Sequence, residues 1–163
     1  MKKTDRLDKV ITKYVRKFGL RRAFNGNEFC FYDNINVITY SMFHTELDKE
    51  WADHINQKYN CDIKPFFFIF CLLHEIGHYK TLPTIPIEEL EEELAIRETL
   101  QETVSNQKEM NEIYTNLPSE RLANEWAIDY LEKNYVSCWE FQKKIFAIMA
   151  HYYKKWGARK SEV

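Results

Sequence analysis

The sequence predicts a predominantly helical α+β domain with one small sheet, and three observations carry that expectation. Apolar residues recur at three- and four-residue intervals through most of the chain. Two short runs rich in β-branched and aromatic residues flank Asp33 and Asn34. A length of 163 residues with 45% hydrophobic content suits one core, so residues 1–163 read as a single domain.

Leu7, Val10, Ile11, Tyr14, Val15 and Phe18 lie at helical spacing with Lys and Arg between them, which predicts an amphipathic helix over 5–18 ending near Gly19. Residues 29–32 and 35–40 read as two strands joined by a tight turn at Asp33 and Asn34, the one clear sheet signal. Thr45 followed by Asp48 marks a helix start, and Leu47, Trp51 and Ile55 then share a face up to about Tyr59. A helix over 64–79 follows, with Pro65 in its first turn. Its opening residues, PFFFIFCLL, are almost all apolar and predict burial on most sides.

Pro83 and Pro86 break the chain after that helix. Residues 87–115 are Glu-rich, with Leu90, Leu94, Ile96, Leu100, Val104 and Ile113 at loosely helical intervals, and read as an acidic insertion of one or two surface helices. Pro118 and Ser119 open a helix running to about Asn134. A last helix over 136–156 carries Phe141, Ile145, Ile148 and Tyr152 along one side.

Composition excludes several classes. The longest apolar run, the eight residues from Phe66 to Leu73, falls well short of the roughly 20 needed to span a bilayer. No apolar stretch follows the charged N-terminus, so a soluble, cytoplasmic protein is expected. Cys30, Cys61, Cys71 and Cys138 form no CxxC pair and read as reduced thiols in or near the core. Four glycines make neither a P-loop nor a dinucleotide fingerprint. The net charge is only −2, yet residues 1–22 hold nine Lys/Arg against two Asp, and residues 84–120 hold ten Glu against two basic residues. Both segments read as solvated helix faces, and no direct nucleic-acid binding is expected.

One pattern carries chemistry. His74-Glu75-Ile76-Gly77-His78 is an HExxH motif, and on a helix its two imidazoles stand about 6 Å apart along one face, able to converge on one metal ion. Glu75 is rotated about 100° from His74, free to act as a base toward water rather than as a ligand. Gly77, inside a helix where glycine costs about 1 kcal/mol, implies that a neighbouring element comes close.

A catalytic zinc site takes three protein donors. Downstream of His78 the choices are His151, Glu120 and Glu125. Glu120 shares its helical face with Ala123, Asn124, Ala127 and Leu131, positions suited to close packing. Glu125 shares its own with Arg121, Asp129, Glu132 and Lys133, a solvent face. Glu120 is therefore the expected third ligand and Glu125 the alternative. Asn124, one turn on, is placed to hold a ligand imidazole in one tautomer. Cys71, three positions before His74, is not expected to ligate. Tyr79, His44 and His151 are candidates for an oxyanion stabiliser by residue type alone.

HEIGH followed by ERLANEWAIDYL resembles the ImmA/IrrE family of small zinc metallopeptidases, whose pattern is HExGH and then ExxANxFAxxLL. Gly77, Glu120, Ala123, Asn124, Ala127 and Leu131 match in register, and Trp126 stands where the family usually has Phe. The likeness covers residues 65–80 and 118–132, about a fifth of the chain. It implies a zincin-like, gluzincin-type metallopeptidase domain with Zn²⁺ on His74, His78 and Glu120 and with Glu75 as general base. It also implies a protein substrate, a helix-turn-helix transcriptional repressor cut by limited proteolysis, as in phage or mobile-element induction. The chain departs from the family in its long acidic connection and in the Glu132-Lys133-Asn134 that follows the second motif. An extended substrate is expected to add to the edge of the sheet formed by 29–40. The alternative is a zinc-stabilised, non-catalytic protein-interaction module, against which the presence of Glu75 argues.

Overall fold

The computed structural model describes residues 5–42 and 45–160, with side chains over 6–42, 45–100 and 102–151. The chain begins with α1 (Asp5–Val15), which buries Leu7, Ile11, Tyr14 and Val15. Residues Arg16–Phe18 tighten into a 3₁₀ turn, and Gly19 ends it at φ 104°, a left-handed conformation that glycine adopts without strain.

A three-stranded sheet follows, made of β1 (Arg22–Asn25), β2 (Cys30–Tyr32) and β3 (Val37–Tyr40) in the order β1-β3-β2. β2 and β3 are the two expected strands, paired antiparallel with Tyr32 opposite Val37. Their connection is longer than a two-residue turn: residues 33–36 form it, with Asn36 at φ 52°. β1 was not expected. Its sequence RAFN buries only Ala23, so it lacks the apolar alternation that marks a strand. It is held by parallel pairing with β3 and by α1. Thr12 of α1 donates to the Ala23 carbonyl at 3.0 Å and accepts from its amide at 3.1 Å. Asp8 accepts from the Asn25 amide at 2.9 Å and the Tyr40 hydroxyl at 2.6 Å. α1 thus occupies the outer edge of β1, and β3 is central, which leaves β2 as the sheet's other edge.

Thr45 caps α2 (Glu46–Tyr59) in a reciprocal box with Asp48. A 3₁₀ turn, Lys64–Phe66, then leads into α3 (Phe67–Thr81), the central helix of the fold. Phe68, Ile69, Phe70, Leu72, Leu73 and Ile76 are all fully buried there, each worth about 1.5–3 kcal/mol of apolar transfer. No side chain caps α3 locally. Instead Gln142, buried on a distant helix, accepts from the Ile69 amide at 3.1 Å and donates to the Pro65 carbonyl at 2.5 Å. These bonds satisfy groups that a buried helix start would otherwise leave orphaned.

The acidic segment is two helices, α4 (Ile87–Thr103) and α5 (Gln107–Asn116). α6 (Pro118–Lys133) and α7 (Tyr135–Lys160) complete the chain. α6 and α7 pack on α3, and β2 and β3 meet it from the side of the sheet. All four cysteines are free thiols, with Cys71 and Cys138 buried. Among the described residues no helix is long and apolar enough to cross a membrane.

Candidate metal centre

The central helix delivers His74 and His78 to one side, as the i, i+4 spacing requires. α6 delivers Glu120 opposite them from its first turn, where a carboxylate also suits the helix dipole. The two helices meet unusually closely, and Gly77 explains how. A Cβ at that position would lie 2.7 Å from the Ala123 carbonyl oxygen and 2.9 Å from its Cα. Only glycine lets the α6 backbone pass there, with Ala123 and Ala127 offering the matching small side chains.

The donor atoms converge. His74 Nε2 lies 3.1 Å from Glu120 Oε2 and 3.1 Å from His78 Nε2, and His78 Nε2 lies 3.6 Å from Glu120 Oε1. One ligand atom from each residue falls within 4.8 Å of the others, and all three side chains are at least largely buried. Two imidazoles and a carboxylate at this spacing could hold a metal ion, and such a nitrogen and oxygen donor set suits a divalent cation. Glu125 is not part of the group: it is exposed and pairs with Arg121 at 3.2 Å. Cys71 is buried in the wall of the cleft and stands outside the donor set.

Asn124 accepts a hydrogen bond from His74 Nδ1 at 2.9 Å, so that Nε2 is the ring nitrogen turned toward Glu120 and His78. Burial pushes the His78 pKa down to about 4, aided by His74, and keeps its imidazole neutral. Burial alone would raise the Glu120 carboxyl, but His74, His78 and Arg97 outweigh it and hold it well below the usual carboxylate range. Glu120 in turn outweighs the burial of His74 and draws a proton onto it. A cation among these atoms would take over that proton's place, so metal binding would release it. Glu75, 8% exposed, is pushed up to about 7, first by burial and then by Glu120, against the opposing pull of His74.

A cleft of about 420 Å³ opens over His74, Glu75 and Glu120. Phe29, Trp51, Phe67 and Cys71 give it apolar walls, while Glu28, Asp48 and Tyr114 supply polar groups. Of the expected oxyanion candidates, the two among the described residues do not line it. Tyr79 turns away to pack on Phe31 and reach the Gly19 carbonyl, His151 is exposed on α7, and His44 lies outside the described residues.

Sequence reasoning missed the contribution of the acidic segment. Arg97 of α4 donates to Glu120 Oε1 at 2.6 Å and to the Ser119 hydroxyl at 3.2 Å. Glu93, one turn back on α4 and 5% exposed, pairs with Arg97 at 2.7 Å. Glu93 also accepts from the Ser119 amide at 2.9 Å and its hydroxyl at 2.5 Å, capping α6 from outside. Tyr114 of α5 lies under the Arg97 guanidinium, 4.7 Å from ring centre to Cζ. The available signal was the i, i+4 spacing of Glu93 and Arg97, with Arg97 one of only two basic residues in that stretch.

Compared with known protein families, curated proteins and solved structures, the chain matches none.

Proposed function

We propose that the chain is a zinc-dependent metallopeptidase, zincin-like in its site and related in mechanism to the ImmA/IrrE enzymes that its two motifs resemble. One observation carries the reading: three donors converge, two of them, His74 and Glu120, line a cleft, and the same cleft holds a buried acid, Glu75, that is not among the donors. A purely structural site fills its fourth position with protein and has no use for a base alongside.

Bound Zn²⁺ would supply the Lewis acidity that polarises a peptide carbonyl and acidifies water. The chain's own groups do the rest. Glu75, with a carboxyl near 7, accepts a proton from water in the cleft and later returns it to the departing amine. Asn124 keeps the His74 ring in register. Tyr114, with its side chain in the cleft wall, is the donor we assign to the carbonyl oxygen in place of Tyr79, His44 or His151.

The substrate is an extended segment of protein. It adds to β2, the edge strand beside the cleft, because α1 occupies the edge of β1. Among the described residues the cleft's lining includes Glu28, Asp48, Glu75 and Glu120 and no Lys or Arg, which favours basic sequence. A helix-turn-helix repressor fits that preference, and four free thiols suit a cytoplasmic site of action. Glu75→Gln tests the activity. Cleavage of a repressor panel should fall by about 10²–10⁴ with zinc retained. A wild type that holds zinc yet cuts nothing Glu75→Gln fails to cut would leave the non-catalytic interaction module.

A further inference from the structure

We infer that Arg97, anchored by Glu93 on α4, is a positioning residue of the metal centre: it engages Oε1 of Glu120 and leaves Oε2 as the one carboxylate oxygen offered to the metal. The inference rests on the metal centre of the preceding reading. The acidic connection is, on this account, part of the site rather than a detachable surface insertion.

The geometry is that of a clamp. Arg97 reaches Glu120 Oε1 at 2.6 Å through Nη2, and the same guanidinium meets Glu93 Oε1 at 2.8 Å through Nε. Oε2, the oxygen Arg97 does not engage, is the one 3.1 Å from His74 Nε2, whereas Oε1, held by Arg97, stays farther from the imidazoles, 3.6 Å from His78 Nε2. The two carboxylates are 5% and 4% exposed at the side chain, so neither can rotate into water to escape the pairing. Glu93 is fixed from the far side by the Ser119 amide and hydroxyl at the start of the helix that carries Glu120. Tyr114 closes the face of the guanidinium. A ligand carboxylate left free could grip a metal with both oxygens and use up a position that substrate and water need. A planar fork held between two buried carboxylates prevents this, and an ammonium could not span both.

Three accounts of Arg97 differ in sign. As a positioning residue, its loss loosens zinc. As a bare positive charge 2.6 Å from a ligand oxygen, its loss tightens zinc by removing repulsion. As a structural ion pair, its loss lowers the melting temperature and leaves zinc affinity alone.

The test is zinc affinity by competition with a chromophoric chelator, on the full chain and on Arg97→Gln, Arg97→Lys and Ser119→Ala, with the visible spectrum of the Co²⁺ forms recorded alongside. Both Arg97 variants should bind zinc about 10–100-fold more weakly, the range for lost partners of a metal ligand. Their Co²⁺ bands should weaken as Glu120 takes the metal with both oxygens and raises the coordination number. Ser119→Ala, which keeps both charges and removes only the hydroxyl between them, should shift both readings the same way by less. It carries the test should an Arg97 variant fail to fold. Tighter binding in Arg97→Gln with wild-type behaviour in Arg97→Lys overturns the inference, as does unchanged affinity and spectrum in all three. A wild type that binds no zinc overturns the metal centre itself, and the inference falls with it.

Discussion

α3 and α4 are helices of similar length, 15 and 17 residues, and both reach the same carboxylate, yet they do so by opposite means. α3 is buried without a break from Phe68 to Gly77, and its side of the site is set by packing. α4 lies largely in solvent, with Ile87, Leu94 and Ile96 exposed, and turns only a few side chains inward, Glu93, Arg97 and Leu100 among them, of which Glu93 and Arg97 form its link to the site. Apolar burial holds the donors on α3, whereas charge pairing holds the contribution of α4. The first should tolerate salt and resist truncation poorly; the second should tolerate surface change and resist charge removal poorly.

Truncation separates the two helices most sharply. Phe68→Ala should cost about 3–5 kcal/mol in denaturant unfolding, because its ring is fully buried against Phe29, Tyr40 and Phe146. Leu94→Ala on α4, 60% exposed in the native chain, should stay within about 0.5 kcal/mol. Equal losses at the two positions would mean that α4 is covered in solution and would break the comparison.

Gly77→Ala comes next. A methyl gains about 1 kcal/mol of helix propensity, but it would sit 2.7 Å from a backbone carbonyl that cannot rotate away. Overpacking should win and lower stability by a net 1–3 kcal/mol or so. Thermal melting reads this directly, and a neutral or stabilising result would mean that the α3–α6 approach is looser than described.

The smallest effect belongs to the surface of α4. Replacing Glu88, Glu89, Glu91 and Glu92, all exposed, by Gln should leave the melting temperature almost unchanged. Cleavage of a basic substrate should slow at low ionic strength, and the difference should fade as salt rises. Kinetics that do not change at any salt concentration would mean that this face is only solvated surface and exerts no pull on a basic substrate.

The same contrast explains what could be read in advance. HEIGH and ERLAN lie on single helices, where spacing alone places side chains on a face, so His74, His78, Glu120 and Asn124 could be brought to one side from periodicity. Gly77 announced a close approach because its cost demands a reason, and Ala123 supplies it. Glu93, Arg97 and Tyr114 meet the site only through tertiary packing: the i, i+4 spacing marks Glu93 and Arg97 as a pair, but nothing local says that the pair turns inward. β1 escaped notice for a related reason: Thr12 and Asp8 on α1 hold a strand whose own residues carry little apolar signal. Gln142, 77 residues from the carbonyl it satisfies, is the extreme case.

Metal content per chain is the most direct test of the central claim, measured on the wild type and on Glu120→Ala and Glu125→Ala after exposure to zinc. The account predicts one zinc in the wild type, one in Glu125→Ala, whose carboxylate faces Arg121 and solvent, and none or nearly none in Glu120→Ala. A wild type without metal, or a Glu120→Ala variant that keeps its full complement, would contradict it.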